Sequence, residues 1–163
     1  MKFLPLLPEA QNDYQGYKTV VALLVLLTIA STVRSLIHIF APDGGSHSIA
    51  GLVIPGDANT AVIFTFAWTG LFQLVVSVTQ WFILIRYRQL IPLMILLMLF
   101  EQLGMFLLPM FKPIALSLRT HIPPEAIGNK VMLPLLLIML FVSLIPVRAQ
   151  KSKSVQKKVT IHI

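Results

Sequence analysis

The chain contains no cysteine. Disulfides, thiolate metal sites and cysteine nucleophiles are therefore excluded, although this does not identify the compartment. Charge is scarce as well. Charged residues make up 12% of the 163 positions, against roughly 25% in an average soluble domain. Acidic side chains number only six. The sequence has no G-x-S-x-G, phosphate-binding loop, G-x-G-x-x-G or H-E-x-x-H pattern, so nothing points to a hydrolase elbow, a nucleotide cradle or a zinc protease. Internal repeats are also absent.

What is abundant is apolar surface. Hydrophobic residues make up 56% of the chain and the mean hydropathy is +0.84. A soluble domain of this size leaves much of its surface exposed and could not hide that much. The apolar residues are gathered in blocks over 17–40, 60–85, 90–111 and 131–147. Each is close to the roughly 20 residues that cross about 30 Å of hydrocarbon as an α-helix. The blocks are continuously apolar instead of alternating, which argues against a β-barrel. The expected fold is an all-α, four-helix transmembrane bundle forming one domain in the inner or plasma membrane. Its immediate partner is the lipid bilayer. In length and hydropathy the chain resembles bacterial four-helix membrane families that include the DoxX-like group; that resemblance implies no residue roles.

The net charge of +7 comes from basic residues at block ends and in the tail 148–163. That is a topology pattern, not a nucleic-acid footprint, and no nucleic-acid partner is expected. With the N-terminus inside, the cytoplasmic side receives Lys2, Lys18, Arg86, Arg88, Arg148, Lys151, Lys153, Lys157 and Lys158, and the outer side only Lys112, Arg119 and Lys130. This ratio predicts both termini in the cytoplasm. Tyr17, Trp81 and Tyr87 then sit at the inner interface. No cleavable signal is expected, because Glu9, Gln11, Asn12, Asp13 and Gln15 precede the first apolar block. The patch Phe3, Leu4, Leu6 and Leu7 is expected to lie in the interface. Residues Arg86 to Gln89 leave room only for a tight helical hairpin. The outer loops 41–59 and 112–130 are longer than a connection requires. The prolines and mixed apolar–basic residues of the second suggest an ordered interfacial segment, with Ile114, Leu118 and Ile122 facing protein or lipid.

The informative residues are those that a membrane makes costly. Arg34 falls within the first block and Glu101 within the third. A charge at mid-bilayer costs roughly 2.5–3.5 kcal/mol on insertion scales, so both should face the protein interior. At about 100° per residue, Thr28, Ser31, Thr32, Arg34, Ser35 and His38 share one side of the first helix. Thr65, Thr69, Gln73, Ser77 and Gln80 form a stripe on the second. Glu101 shares a face with Met94, Met98 and Met105 on the third. Arg34 and Glu101 lie roughly 9 Å and 15 Å from the outer ends of their helices, a difference that an extended arginine can bridge. The expected intramembrane cluster is Arg34, His38, Gln73, Glu101 and Gln102.

The first outer loop carries Pro42, Asp43, Gly44, Gly45, Ser46, His47 and Ser48. The two glycines permit a tight turn with positive φ. Asp43 and His47 are the loop's candidates for chemistry. With His38 they fall short of the three or four placed ligands that zinc needs, so neither a metal nor another cofactor is expected. Three roles remain open. The leading expectation is a non-enzymatic accessory or self-associating bundle held by its polar cluster, with other membrane subunits or a second copy as partner. The next is a proton-coupled carrier or small-ligand site centred on Glu101. The third is an enzyme acting on a lipid or quinone near the first outer loop.

Overall fold

Apolar runs bounded by turn-forming residues fold as four long helices. The computed structural model describes residues 9–147; the expectations for the Phe3–Leu7 patch and the basic tail fall outside them. Helix α1 spans Lys18–Phe40, α2 Ala58–Arg86, α3 Ile91–Phe111 and α4 Pro124–Ser143. All four are long and apolar enough to cross a membrane. Among the described residues no strand forms apart from one isolated bridge. At 29 residues, α2 exceeds the hydrocarbon thickness at 1.5 Å per residue, a mismatch that a helix relieves by tilting or protruding.

The first three helices begin and end close to the expected limits. The fourth does not: it starts at Pro124, not near residue 131, and stops at Ser143. Pro123 and Pro124 explain the difference. Proline's fixed φ and missing N–H suit the first helical position, so the pair launches a helix where a loop was expected. The α3–α4 loop shrinks accordingly, and Asn129 and Lys130 become helical. Pro109 lies in the last turn of α3 and Pro134 near the middle of α4.

The helices associate in pairs. α1 packs along most of α2, and α3 along α4, whereas contact between the pairs is sparse. Close approach of α1 and α2 depends on Gly70. A Cβ there would lie 2.6 Å from the His38 Cβ and 3.0 Å from the Ser35 carbonyl oxygen. The two pairs meet in an apolar core formed by Val20 and Leu24 of α1, Ile83 and Leu84 of α2, Ile91, Met94 and Ile95 of α3, and Leu136 and Met139 of α4. All of these lie toward the end where α1 begins and α4 finishes.

That end is closed by residues 11–15, which precede α1. The Gln11 N–H donates to the Arg86 carbonyl at 3.0 Å, and the Val147 N–H to the Gln15 carbonyl at 2.9 Å. The Gln89 amide bonds the Gln11 side chain. The Tyr14 hydroxyl reaches the Ser143 carbonyl at 3.4 Å, and burial raises its pKa above the usual 10.

The opposite end is closed by the α1–α2 and α3–α4 loops. Leu52 and Arg119 form an antiparallel bridge. The Val53 N–H donates to the Leu118 carbonyl at 2.9 Å and the Thr120 N–H to the Gly51 carbonyl at 2.8 Å. The second loop is thus ordered, with its short 3-10 turn at Leu116–Leu118, but it is held by the first loop's backbone. Leu118 is half-buried, whereas Ile114 and Ile122 are not covered by protein.

Candidate functional site

Between the closed ends the helix pairs diverge, and polar side chains line the gap. They divide into two sets. One set is spent on packing. The hydroxyls of Thr28, Thr32 and Ser35 donate to carbonyls one turn back on α1 at 2.7–2.8 Å. Ser31 and Ser77 bond each other across α1 and α2 at 2.8 Å, and the Trp81 indole N–H donates to Thr32 Oγ1 at 3.2 Å. These small residues let two helices approach and satisfy one another, the usual adhesive of membrane helices. Thr65 and Thr69 bond their own helix at 2.8 Å.

The other set surrounds open space. A cavity of about 210 Å³ lies between all four helices, with Ser31 and Arg34 on α1, Gln73 and Gln80 on α2, Met98, Glu101 and Gln102 on α3, and Met132 on α4 among its walls. It adjoins a cleft of about 370 Å³ lined by Arg34, His38, Gln73, Glu101 and Met105. A third recess, about 380 Å³, runs between α2 and α3 along Val76, Ile83, Leu93 and Leu97 and again reaches Glu101. Every member of the expected cluster, namely Arg34, His38, Gln73, Glu101 and Gln102, lines one or more of these spaces. Glu101 lines all three and is not covered by protein.

Arg34 faces inward from α1 and lines two of these spaces together with Glu101. Its Nε–H donates to His38 Nε2 at 3.2 Å. His38 is 4% exposed, and its Nδ1 lies 2.7 Å from the Gly44 carbonyl oxygen. A carbonyl only accepts, so Nδ1 carries the proton and Nε2 is left to accept from Arg34. The ring is thereby fixed in one tautomer, pinning the α1–α2 loop to the arginine. Phe66 packs edge-on against it at 5.6 Å.

Gln102 does not join the charges. Its Nε2 donates to Asn129 Oδ1 at 2.6 Å and ties α3 to α4. Gln73 Oε1 and Gln80 Oε1 are both buried without a hydrogen-bond partner, and Gln80 as a whole is 2% exposed. Gln80 was legible as part of the α2 stripe, seven residues from Gln73, but its isolation was not. Asn129 was missed because its segment reads as loop.

Asp43 and His47 are placed apart from this cluster. Asp43 accepts the Gly45 N–H at 2.9 Å and the Ser48 N–H at 2.7 Å, and its backbone carbonyl accepts the Ser46 hydroxyl at 2.8 Å. Gly44 and Gly45 supply the turn with φ of 58° and 80°, as their sequence suggests. The backbone N–H of Ser48, more than any other group, draws the Asp43 pKa down to about 2. His47 Nδ1 lies 3.3 Å from the Leu52 carbonyl oxygen. Asp43, His38 and His47 therefore serve different backbone groups and share none. Among the described residues no three His, Asp or Glu side chains converge as a metal would require.

No protein-family model matches the chain, and neither a curated protein nor a solved structure matches it.

Proposed function

We propose that this chain is a multi-pass membrane protein, with both termini in the cytoplasm, that binds a small ligand in the cavity at Glu101. The observation that carries the reading is the position of Glu101 at the junction of three adjoining spaces, with Arg34 across two of them. Polar side chains retained only for packing would satisfy one another. The serines and threonines of α1 do so, whereas the Gln73 and Gln80 carbonyl oxygens do not. That contrast puts the ligand site ahead of the accessory or self-associating bundle. An enzyme at the first outer loop has less support, because Asp43 is committed to its own turn and His38 to Gly44 and Arg34. A carboxylate beside the ligand could also exchange a proton during its movement, which would make proton-coupled carriage the transport form of the same site.

The test is extraction of native membranes into polymer-bounded discs, followed by mass spectrometry of the small molecules held by wild type and by Glu101→Gln. One chemical class should accompany wild type and fall about tenfold in the variant, the scale of one charge-assisted hydrogen bond. The same molecules in the same amounts from both would leave the cluster as packing alone.

The orientation rests on nine basic residues on one side against three on the other. With no native cysteine, a single introduced thiol reports alone. In intact cells an impermeant maleimide should label Ser48→Cys and leave Arg88→Cys untouched until the membrane is opened. The reverse pattern would invert the topology.

A further inference from the structure

The three spaces around Glu101 differ in chemistry. The central cavity is polar: Gln80, buried with its carbonyl oxygen unpartnered, and Gln73, likewise unpartnered, face it together with Arg34 and Glu101. The recess between α2 and α3 is apolar, walled chiefly by Val76, Ile83, Leu93, Met94 and Leu97. Leu93 and Leu97 are themselves about half exposed, at 50% and 52%, so this recess opens on the outer surface of the helices. In a membrane that surface is acyl chain. The two spaces share Glu101.

We infer that the ligand is a single-chain amphiphile with a hydroxyl-bearing head that carries no charged group, taken laterally from the bilayer between α2 and α3. The inference rests on the ligand-site reading above and deepens it. Three features select this class. First, Arg34 and Glu101 line the same cavity, so a charged group of either sign in the head would meet its like. Second, the polar groups require both giving and receiving. The Gln73 and Gln80 oxygens and the Glu101 carboxylate accept, whereas Arg34 only donates. A hydroxyl does both, and a quaternary ammonium head has no hydrogen to give. Third, an unanswered buried acceptor is costly, and an alkyl chain alone would not relieve it. The central cavity is well above the roughly 15 Å³ that a single water needs, so it has room for a hydroxylated group. The chain would then lie along Leu93 and Leu97 toward the lipid.

The test uses the full chain in an amine-oxide detergent, which has no hydroxyl head to compete. Native mass spectrometry measures retention of 1-monooleoylglycerol, oleic acid and oleoyl-lysophosphatidylethanolamine, which share one acyl chain and differ in head. Monooleoylglycerol should be retained most. Gln80→Leu should reduce its retention about tenfold, the loss of roughly one hydrogen bond to the head. Leu97→Trp, at a position already half exposed, should block the recess and reduce retention without disturbing the core. Retention that resists Leu97→Trp while still falling in Gln80→Leu would overturn lateral seating of the chain. Preference for oleic acid or for the lysophospholipid, still sensitive to Gln80→Leu, would overturn the hydroxyl head without charged groups and leave the ligand site standing. Equal, weak retention of all three by wild type, Gln80→Leu and Leu97→Trp would overturn this inference. If the disc experiment with Glu101→Gln also finds no associated class, the ligand-site reading falls with it.

Discussion

Arg34→Leu and Glu101→Leu should each lower the detergent stability of the protein on the order of 2 kcal/mol, and the double substitution should recover part of the loss. Breaking a buried ion pair by removing one partner typically costs 3–5 kcal/mol, because the other charge is left uncompensated. The smaller figure applies here because Glu101 borders open space and is not enclosed by protein. The two charges line the same two spaces. A double-mutant cycle should therefore show a coupling of about 0.5–3 kcal/mol. Thermal midpoints in one detergent, measured for the four proteins, give the cycle. Strict additivity would mean that the charges are independent. Arg34→Leu carries a second consequence, since it also removes the donor at His38 Nε2. Labelling of Ser48→Cys should accordingly quicken in the Arg34→Leu background as the first outer loop loosens.

Gly70→Ala should be among the most damaging changes of a single carbon in the chain. Its Cβ would fall 2.6 Å from the His38 Cβ and 3.0 Å from the Ser35 carbonyl oxygen. Both belong to the facing helix, so a flexible side-chain tip cannot swing clear and the helices must part. Overpacking of this kind costs about 1–3 kcal/mol. Gly104→Ala is the matched control, with nothing within 4 Å of its added carbon. It should be neutral or mildly stabilising, since alanine is the better helix former by about 1 kcal/mol. Similar midpoints for the two variants would contradict the close α1–α2 contact. A Gly70→Ala protein that survives should also lose ligand retention, because displacing His38 moves Arg34.

The helices that were legible in the sequence are those whose ends coincide with a change of solvent preference. α1 ends where Phe40 gives way to Pro42, Asp43 and the paired glycines. The hairpin between α2 and α3 is set by Arg86 to Gln89. The start of α4 was not legible, because Gly128, Asn129 and Lys130 read as loop while proline's preference for the first helical turn acts seven residues earlier. Arg34 lines the spaces between the helices on the face that periodicity gave it, whereas Glu101 borders the same spaces without being enclosed by protein. The contact from His38 to Gly44 was not, as it requires the loop to fold back over its own helix. Nor was the bridge between Leu52 and Arg119, whose backbone hydrogen bonds have no side-chain signature. The cavity is the least legible feature of all. It arises because the α1–α2 and α3–α4 pairs meet at the core around Leu24, Ile91 and Leu136 and diverge beyond it, and no single helix encodes that divergence.

The central claim is that polar molecules reach Glu101 within the membrane-spanning part of the protein, and thiol labelling along α3 tests it most directly. A thiol reacts as its thiolate, which forms in a wet cavity and not against acyl chains. Met105 lines the cleft with Glu101. Leu103, two residues away on the same helix, is 42% exposed and lines none of the three spaces. In native membranes a small, charged methanethiosulfonate should modify Met105→Cys at least tenfold faster than Leu103→Cys, and Glu101→Gln should not erase the difference. Equal inertness of both thiols, with Ser48→Cys reacting normally as the positive control, would contradict a ligand-accessible cavity at Glu101.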